Sequence, residues 1–415
     1  MNLNLNSLEK GIKIINSMDN EGLTTFKPNL NKPIHRWYYF KEGFSSDLVK
    51  NFINEFSITN SNKIIDCFSG ISTTVLTAQE MGIMSCGVEV NPFFKFIGDV
   101  KVNNGYAVEK IKQYKDIILK SSASENQNIP ELSSLKHCFS VKNLSDLLKF
   151  RDAIMDIDES KYRGLFLLSL ASIIESSSNI KKDGKGLRFI PKPKRKVSSL
   201  LEYKIDEIIA DTEWRHENST NKMGKVIEGD ARKLVFPNNS FDFAIFSPPY
   251  LNSFDYTEVY KLELWLLNFV RNYKEFKQIS NSTLRSHLTT KFDIEDKFDN
   301  KILKNIINAL GKKDLWNNNI PSMVRSYFND MKMVFDCLHK ILKNNSICAV
   351  IVGNSCYGEI PIPTDLLLGK LAEESGFNFK EIRIMRRLMT SPQQLDRLDS
   401  RKLLRESMII LKNSK

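Results

Sequence analysis

Metal and disulfide chemistry have little to work with in this sequence. Its six cysteines (Cys67, Cys86, Cys138, Cys337, Cys348 and Cys356) are scattered, none forms a C-x-x-C pair, and the five histidines do not gather near them. That spacing argues against a structural zinc site, so no metal is expected. Most of these cysteines sit in apolar runs, where a free thiol behaves as a small hydrophobe. Unpaired thiols suit a reducing compartment, and a cytoplasmic location is expected. No apolar run approaches the length of a membrane span, and Met1–Asn6 lacks the basic-then-apolar layout of a secretory leader. No membrane partner is expected. Internal repeats and low-complexity tracts are missing as well.

What the chain has is bulk and positive charge. Its 415 residues are 41% hydrophobic and carry a formal net charge of +11. The length allows one large domain with insertions or two to three smaller ones. The charge favours a polyanionic partner without bearing on the fold.

Local patterning predicts an α/β chain. Lys63–Phe68 reads as a strand and Ser69–Ser72 as a tight turn. A helix follows from Thr73, closed at Gly82, and the next strand ends at Glu89. A strand, glycine turn, helix and strand in that order make a βαβ unit with parallel strands. Residues 105–222 then read as mainly helical, most apolar at Leu165–Ile174. A segment rich in Lys, Gly and Pro, Lys181–Lys196, is expected as a loop within them. The sheet pattern resumes at Lys225 and continues through Phe241–Phe246, an apolar run typical of a buried parallel strand. An amphipathic helix is predicted over Tyr260–Val270, and residues 271–320 are polar with weak periodicity. A clear helix at Ser326–Leu342 and strands at Ser346–Gly353, Phe379–Met385 and Ser407–Leu411 complete the reading. The expected organisation is a catalytic domain split into residues 1–104, 223–270 and 321–415. A helical insertion at 105–222 and a second insertion or mobile loop at 271–320 interrupt it.

The most telling residues are Ser247-Pro248-Pro249-Tyr250, directly after the Phe241–Phe246 strand. Two prolines cannot continue a sheet ladder, so the strand stops there. In open α/β sheets the carboxyl edge is where ligands bind. An aromatic amine is a poor nucleophile because its lone pair is delocalised into the ring. Hydrogen bonds from its N–H groups to the Ser247 oxygen and the Pro248 carbonyl would favour a pyramidal nitrogen. Tyr250 would stack on a base flipped from its duplex. Upstream, the turn at Gly70 lets a ligand approach the backbone. Glu89, about 20 residues on, can bind two ribose hydroxyls. Ser72 stands where the G-x-G-x-x-G fingerprint would have glycine, which favours a nucleoside ligand without pyrophosphate over NAD. Asp230, ending the third strand, either takes the adenine amino group or serves as a turn residue.

Together these motifs resemble the amino-methylating DNA methyltransferases that use S-adenosylmethionine. The family pattern is a D-x-F-x-G-x-G turn, an acid after the second strand, and a [D/N/S]-P-P-[Y/F/W] turn after the fourth. Asp66, Phe68, Gly70, Glu89, Asp230 and Ser247 to Tyr250 match it residue by residue, and Ser72 departs at the second glycine. The resemblance implies a Rossmann-like methyltransferase fold with a mostly parallel sheet. S-adenosylmethionine would be held by Phe44, Asp66, Phe68, Gly70, Thr73, Glu89, Asn91, Asp230 and Ala231, with Ser247 to Tyr250 catalytic. Phe44 lies in an N-terminal segment, Lys32–Ser45, that is similar to the family's extra cofactor motif. Serine at the first catalytic position is similar to the cytosine-N4 group. Adenine-N6 in DNA or a guanine amine in RNA are the alternatives, and a non-catalytic DNA-binding protein is disfavoured by the intact motifs. The implied partner is double-stranded DNA, with a cognate restriction endonuclease as a functional counterpart. The Lys181–Lys196 segment carries eight basic residues against one acid, and Lys181, Lys182, Lys185, Arg188, Lys194 and Arg195 are expected on the phosphate backbone. Arg383, Arg386, Arg387, Arg397, Arg401 and Arg405 form a second basic stretch. Asp255 and Tyr256 either close over the target or pack on the next helix. Asn354 and Ser355 either line the pocket or serve as caps.

Overall fold

The computed structural model describes residues 9–121, 135–183, 186–193, 195–218, 220, 224–388 and 404–415. In chain order its strands are β1 (Lys13–Asn16), β2 (Lys63–Asp66), β3 (Met84–Glu89), β4 (Ile180–Asp183), β5 (Gly186–Phe189), β6 (Gly224–Glu228), β7 (Phe241–Phe246), β8 (Leu342–Gly353), β9 (Ser355–Tyr357), β10 (Ile360–Ile362), β11 (Phe377–Arg387) and β12 (Arg405–Asn413). Eight of them form one sheet in the order β1-β11-β12-β8-β7-β2-β3-β6. Only β12 runs against the rest, pairing antiparallel with both β11 and β8.

The central strands are apolar on both faces, and the two-residue side-chain period divides them cleanly. Ile64, Ile245, Ala349 and Ile351 point to one face, where they pack with Val49, Phe52 and Ile53 of the helix Ser46–Glu55. Ile65, Ala244, Phe246, Val350 and Val352 point to the other. There they meet Phe328, Phe335 and Leu338 of Ile320–Ile341 and Leu367 and Leu371 of Thr364–Glu373. Helices on both faces of a mostly parallel sheet make a doubly wound, Rossmann-like α/β fold.

The chain steps outward from β2 through β3 to β6. It then returns to the other side of β2 with β7 and continues to β8. The reversal of strand order therefore falls between β2 and β7, which pair through Ile64↔Phe243 and Ile65↔Ala244. A crevice opens at the carboxyl ends of strands at such a switch point.

Residues 105–222 are mainly helical, as expected, and contribute the helices Val108–Lys120, Val141–Met155, Ser160–Ser177 and Val197–Asn218. They share a core through Ile111, Phe150, Phe166 and Leu201. Asp211 ties this unit to the N-terminal aromatic segment. Its carboxylate accepts from the Ile34 backbone N–H, the Trp37 indole N–H and the Arg36 guanidinium.

Three local expectations change. The basic Lys181–Lys196 segment is not an open loop along its first half, because β4 and β5 form an antiparallel hairpin with Lys181 opposite Arg188 and Lys182 opposite Leu187. The helix expected at Tyr260–Val270 is two short ones, Tyr256–Val259 and Lys261–Leu266, which break at Tyr260. Residues 271–320 hold the helices Tyr273–Ser282 and Lys301–Leu310, with Phe276, Leu303, Ile306 and Leu310 buried.

Candidate functional site

The turn after β2 is built from backbone donors around one carboxylate. Glu89, at the end of β3, accepts from the Gly70 N–H at 2.7 Å through one oxygen and from the Asn91 N–H at 2.8 Å through the other. Both turns are thereby locked to the same side chain. Burial raises the Glu89 carboxyl to about 7 against the pull of those two N–H bonds. Asp66 holds the loop from behind, accepting from the Phe68 N–H at 3.0 Å, and burial raises it to about 7 as well.

Gly70 adopts φ +49°, and Ser72 follows at φ +67°. A non-glycine residue in the left-handed region costs roughly 1–2 kcal/mol. Ser72 recovers part of that through a 3.1 Å bond between its hydroxyl and that of Ser69. The space a glycine at 72 would leave free is instead provided by neighbours. A Cβ on Gly98 would stand 2.3 Å from Ser72 Oγ, and one on Gly87 would stand 2.3 Å from Ser69 Oγ.

The turn after β7 follows a different plan. Ser247 donates its hydroxyl proton to the Ile351 carbonyl at 3.0 Å. Tyr250 donates to Glu406 Oε1 at 2.5 Å. Glu406, buried on β12, also accepts from the Arg386 guanidinium. The Tyr250 ring lies against Gly353, where an added Cβ would approach it to 3.0 Å. Burial and the Glu406 charge push the Tyr250 phenol well above its ordinary range, so its proton stays in place.

These two turns line one cleft of about 980 Å³, part of it open to solvent. Phe44, Phe68, Gly70, Thr73, Glu89, Asn91, Asp230, Ala231, Ser247 and Pro249 all border it; Asp66, Pro248 and Tyr250 are not among its lining residues, and Tyr250 is partly exposed beside Ser247. Asp230 meets the cleft as an ion pair, with Arg232 bonded to it through Nε and Nη2. Asp255 caps the helix Tyr256–Val259, and Tyr256 borders the cleft. Asn354 exchanges hydrogen bonds with buried Asp365, and Ser355 donates to the Leu251 carbonyl, so both serve the framework.

Several bordering groups carry no local sequence signal. Phe40 lies against Gly70 and packs on Phe94 and Tyr256 with ring centroids at 5.0 and 5.9 Å. Its one hint is the aromatic run it belongs to, Trp37-Tyr38-Tyr39-Phe40. Ser282, Thr283, Leu284, Ser286 and His287 form a further wall, from a stretch whose polarity reads as surface.

The basic hairpin divides by strand period. Lys181 and Arg188 are exposed, as is Arg195 beyond the hairpin. Lys182 is not available to a phosphate backbone. It turns inward with Ile180, pairs with buried Glu263, bonds the Tyr38 hydroxyl at 3.2 Å and stands 4.0 Å from the Tyr260 ring centroid. Lys185 and Lys194 lie outside the described residues, as do Arg397 and Arg401. In the second basic stretch, Arg383 pairs with Glu55 and Glu381, Arg386 with Glu406, and Arg405 with buried Asp365. Among the described residues there is no cluster fit for a metal ion, and no helix is long and apolar enough to cross a membrane.

The cleft fits the methyl donor implied by its motifs. Glu89 presents a carboxylate at the end of β3. The buried Asn91 Nδ2 has no hydrogen-bond partner among the described residues, and Phe44, Phe68, Ile71 and Ala231 supply apolar walls.

No family model matches the chain. It is 29% identical over 447 aligned positions to Type II methyltransferase M.BsoBI of Geobacillus stearothermophilus, which spans 94% of this chain and 88% of that one. It is 27% identical over 402 positions to Type II methyltransferase M.AvaI of Nostoc sp. PCC 7120, spanning 88% and 83%. Among solved structures, the [4+2]-cyclase SpnF covers 97% of this chain and 98% of its own at 8% identity, with a TM-score of 0.33. That last likeness is too distant to add to the topology.

Proposed function

We propose that this chain, an S-adenosylmethionine-dependent DNA methyltransferase, modifies the exocyclic N4 amine of a cytosine flipped out of duplex DNA. It would do so at a defined sequence, as the modification half of a restriction–modification pair. The observation that carries this reading is the shared cleft: the Gly70–Glu89 turn and the Ser247–Pro249 turn border one space at the β2/β7 switch point. S-adenosylmethionine bound there supplies an electrophilic methyl group on a positively charged sulfur.

The chain's own residues prepare the amine. Ser247 has already spent its proton on the Ile351 carbonyl, so its oxygen is left to accept from an amine N–H. Pro248 and Pro249 have no N–H, so the middle of the turn offers carbonyl oxygens and no backbone donor. Two acceptors on the amine hydrogens draw the nitrogen toward a pyramidal shape and turn its lone pair toward the methyl. Positioning of this kind can supply much of a rate enhancement. Tyr250, partly exposed next to the cleft residue Pro249 and held by Glu406 and Gly353, is assigned as the aromatic surface for the base. Phe40, Phe254 and Tyr256 border the same space and limit water. Exposed Lys181, Arg188 and Arg195 are assigned to phosphate contacts. The endonuclease counterpart acts on the same unmodified sequence and need not bind this chain.

The test is methylation of duplex DNA with labelled S-adenosylmethionine, followed by mass analysis of the released nucleosides. N4-methylcytosine is the expected product. A product consisting of N6-methyladenine alone overturns the cytosine assignment, and label in RNA alone overturns the DNA assignment.

A further inference from the structure

Residues 282–287 form a wall of the cleft that neither turn supplies, and they are fixed at three points. At one end the Ser282 carbonyl accepts from Arg232 Nη2 at 2.8 Å, beside Asp230. In the middle, Arg285 binds Asp330 through its backbone N–H at 3.0 Å and through its guanidinium. The same guanidinium reaches Asp293 at 2.7 and 2.9 Å. At the other end the Ser286 carbonyl accepts from the Ser253 N–H at 3.0 Å. Ser253 lies in the stretch that continues the Ser247–Tyr250 turn, and its own φ is +62°. The wall therefore runs from the cofactor end of the cleft to the catalytic end.

Most polar groups on this wall already have partners. Thr283 Oγ1 donates to the Ser280 carbonyl at 2.7 Å. His287 meets Thr283 Oγ1 through Nε2 at 2.9 Å and Thr289 Oγ1 through Nδ1 at 2.7 Å. Thr289 in turn donates to Asp255 at 2.7 Å. Ser286 is the exception. It borders the cleft, it is 1% exposed, and its hydroxyl has no hydrogen-bond partner among the described residues. Burying a hydroxyl without a partner costs about 1–3 kcal/mol on the scale of mutational data. Such a group calls for an explanation, and one is a ligand that completes the bond.

We infer that the Ser286 hydroxyl donates a hydrogen bond to a ring acceptor of the extruded target base, which makes it a specificity-determining residue of the base pocket. The wall's tie to the cofactor end is at Ser282, whereas Ser286 is tied to the catalytic stretch. Cytosine offers two ring-edge acceptors, N3 and O2, beside the amine that Ser247 engages. A hydroxyl donor on that edge reads the base without touching the reacting nitrogen. The inference rests on the methyltransferase reading of the cleft.

Two variants test it, Ser286→Ala and the hydroxyl-retaining Ser286→Thr. For each, S-adenosylmethionine affinity is measured by calorimetry, and steady-state methylation is measured on duplex DNA carrying the modified sequence. The alanine variant is expected to bind S-adenosylmethionine as the parent does. Its kcat/KM should fall about tenfold, mainly through KM, as expected for one lost hydrogen bond to a neutral group. The threonine variant should recover part of that loss. A parallel loss of S-adenosylmethionine affinity overturns the inference by placing the hydroxyl against the cofactor, and unchanged kinetics overturn it outright. Should the alanine variant fail to fold, Ser286→Cys, which keeps a γ atom in place but only a weak donor, is read by the same two criteria. Nucleoside analysis of the parent's product tests the cytosine reading separately. A methyladenine product would sink that reading while leaving the Ser286 measurement intact, since adenine also carries ring acceptors.

Discussion

The two turns that meet at the β2/β7 switch point do opposite things with their backbones. The turn after β2 gathers N–H donors, and a buried carboxylate fixes it, with Gly70 and Asn91 both bonded to Glu89. The turn after β7 is poorer in donors, because Pro248 and Pro249 have none to offer. It is fixed from outside by side chains, through the Ile351 carbonyl, Glu406 and Gly353. Adjacent strands of one sheet thus end in a donor-rich rim and an acceptor-rich rim. A nucleoside with hydroxyls and acceptor nitrogens suits the first, and an amine suits the second.

If that division is right, the two rims can be broken independently. The largest effect is expected for Ser247→Ala, which should lower kcat about a hundredfold, the scale seen when one positioned hydrogen-bonding group is removed from an active site. Calorimetric affinity for S-adenosylmethionine should hardly move. A matching loss of affinity would show that the rims are not separate.

A smaller, several-fold effect is expected from pH on the donor-rich side. The Glu89 carboxyl sits at about 7, and its ionised form accepts from ribose hydroxyls better than its protonated form. Affinity for S-adenosylmethionine should therefore strengthen as pH rises through that value, and Glu89→Gln should flatten the profile. Stability runs the other way. Glu89 and Asp66 each have a folded value raised above the ordinary one, so the folded chain holds more protons between the two values. Their contribution to stability then falls as pH rises through that window, from about 4 to about 7. Thermal melts of the parent and of Asp66→Asn across that range check the sign, and the variant should lose less stability as pH rises.

The smallest effect is expected at Ser72. Replacing it with glycine relieves a left-handed backbone worth roughly 1–2 kcal/mol and removes a hydroxyl bond worth about 1 kcal/mol. The shift in Tm should be slight and in either direction. A large destabilisation would mean that the Ser69–Ser72 bond, rather than Glu89, holds the donor-rich rim.

Much of this comparison is legible in the linear chain because both rims rest on local rules. Apolar runs mark β2 and β7, glycine and proline punctuate their ends, and about 20 residues separate the first turn from Glu89. What escaped depends on partners distant in sequence. Lys182 sits in a basic run that reads as a charged surface, yet hairpin pairing turns it toward Glu263, 81 positions away. Residues 271–320 read as polar and irregular because their charges are visible and their partners are not. Arg285 is satisfied by Asp330, 45 positions on. Glu406 and Gly353 carry no motif, and only the reversed pairing of β12 with β8 sets them opposite one another beside Tyr250. Ser72 is a departure from pattern whose compensation lies at Gly98, on the helix Pro92–Val102.

Asp330 extends the site well beyond its rim. This single carboxylate, inside the long helix Ile320–Ile341, binds Arg232 at 3.0 Å and Arg285 through backbone and guanidinium alike. One arginine steadies Asp230 and the other pins the wall that carries Ser286. Neutralising that acid would take one carboxylate from each of two part-buried guanidinium groups, leaving Arg232 with Asp230 and Arg285 with Asp293, a loss of about 1.5–3 kcal/mol for each charged hydrogen bond. A variant there would present as a mild folding defect, yet the first thing to shift would be the two cleft borders it holds, Asp230 at one end and residues 282–287 along the side.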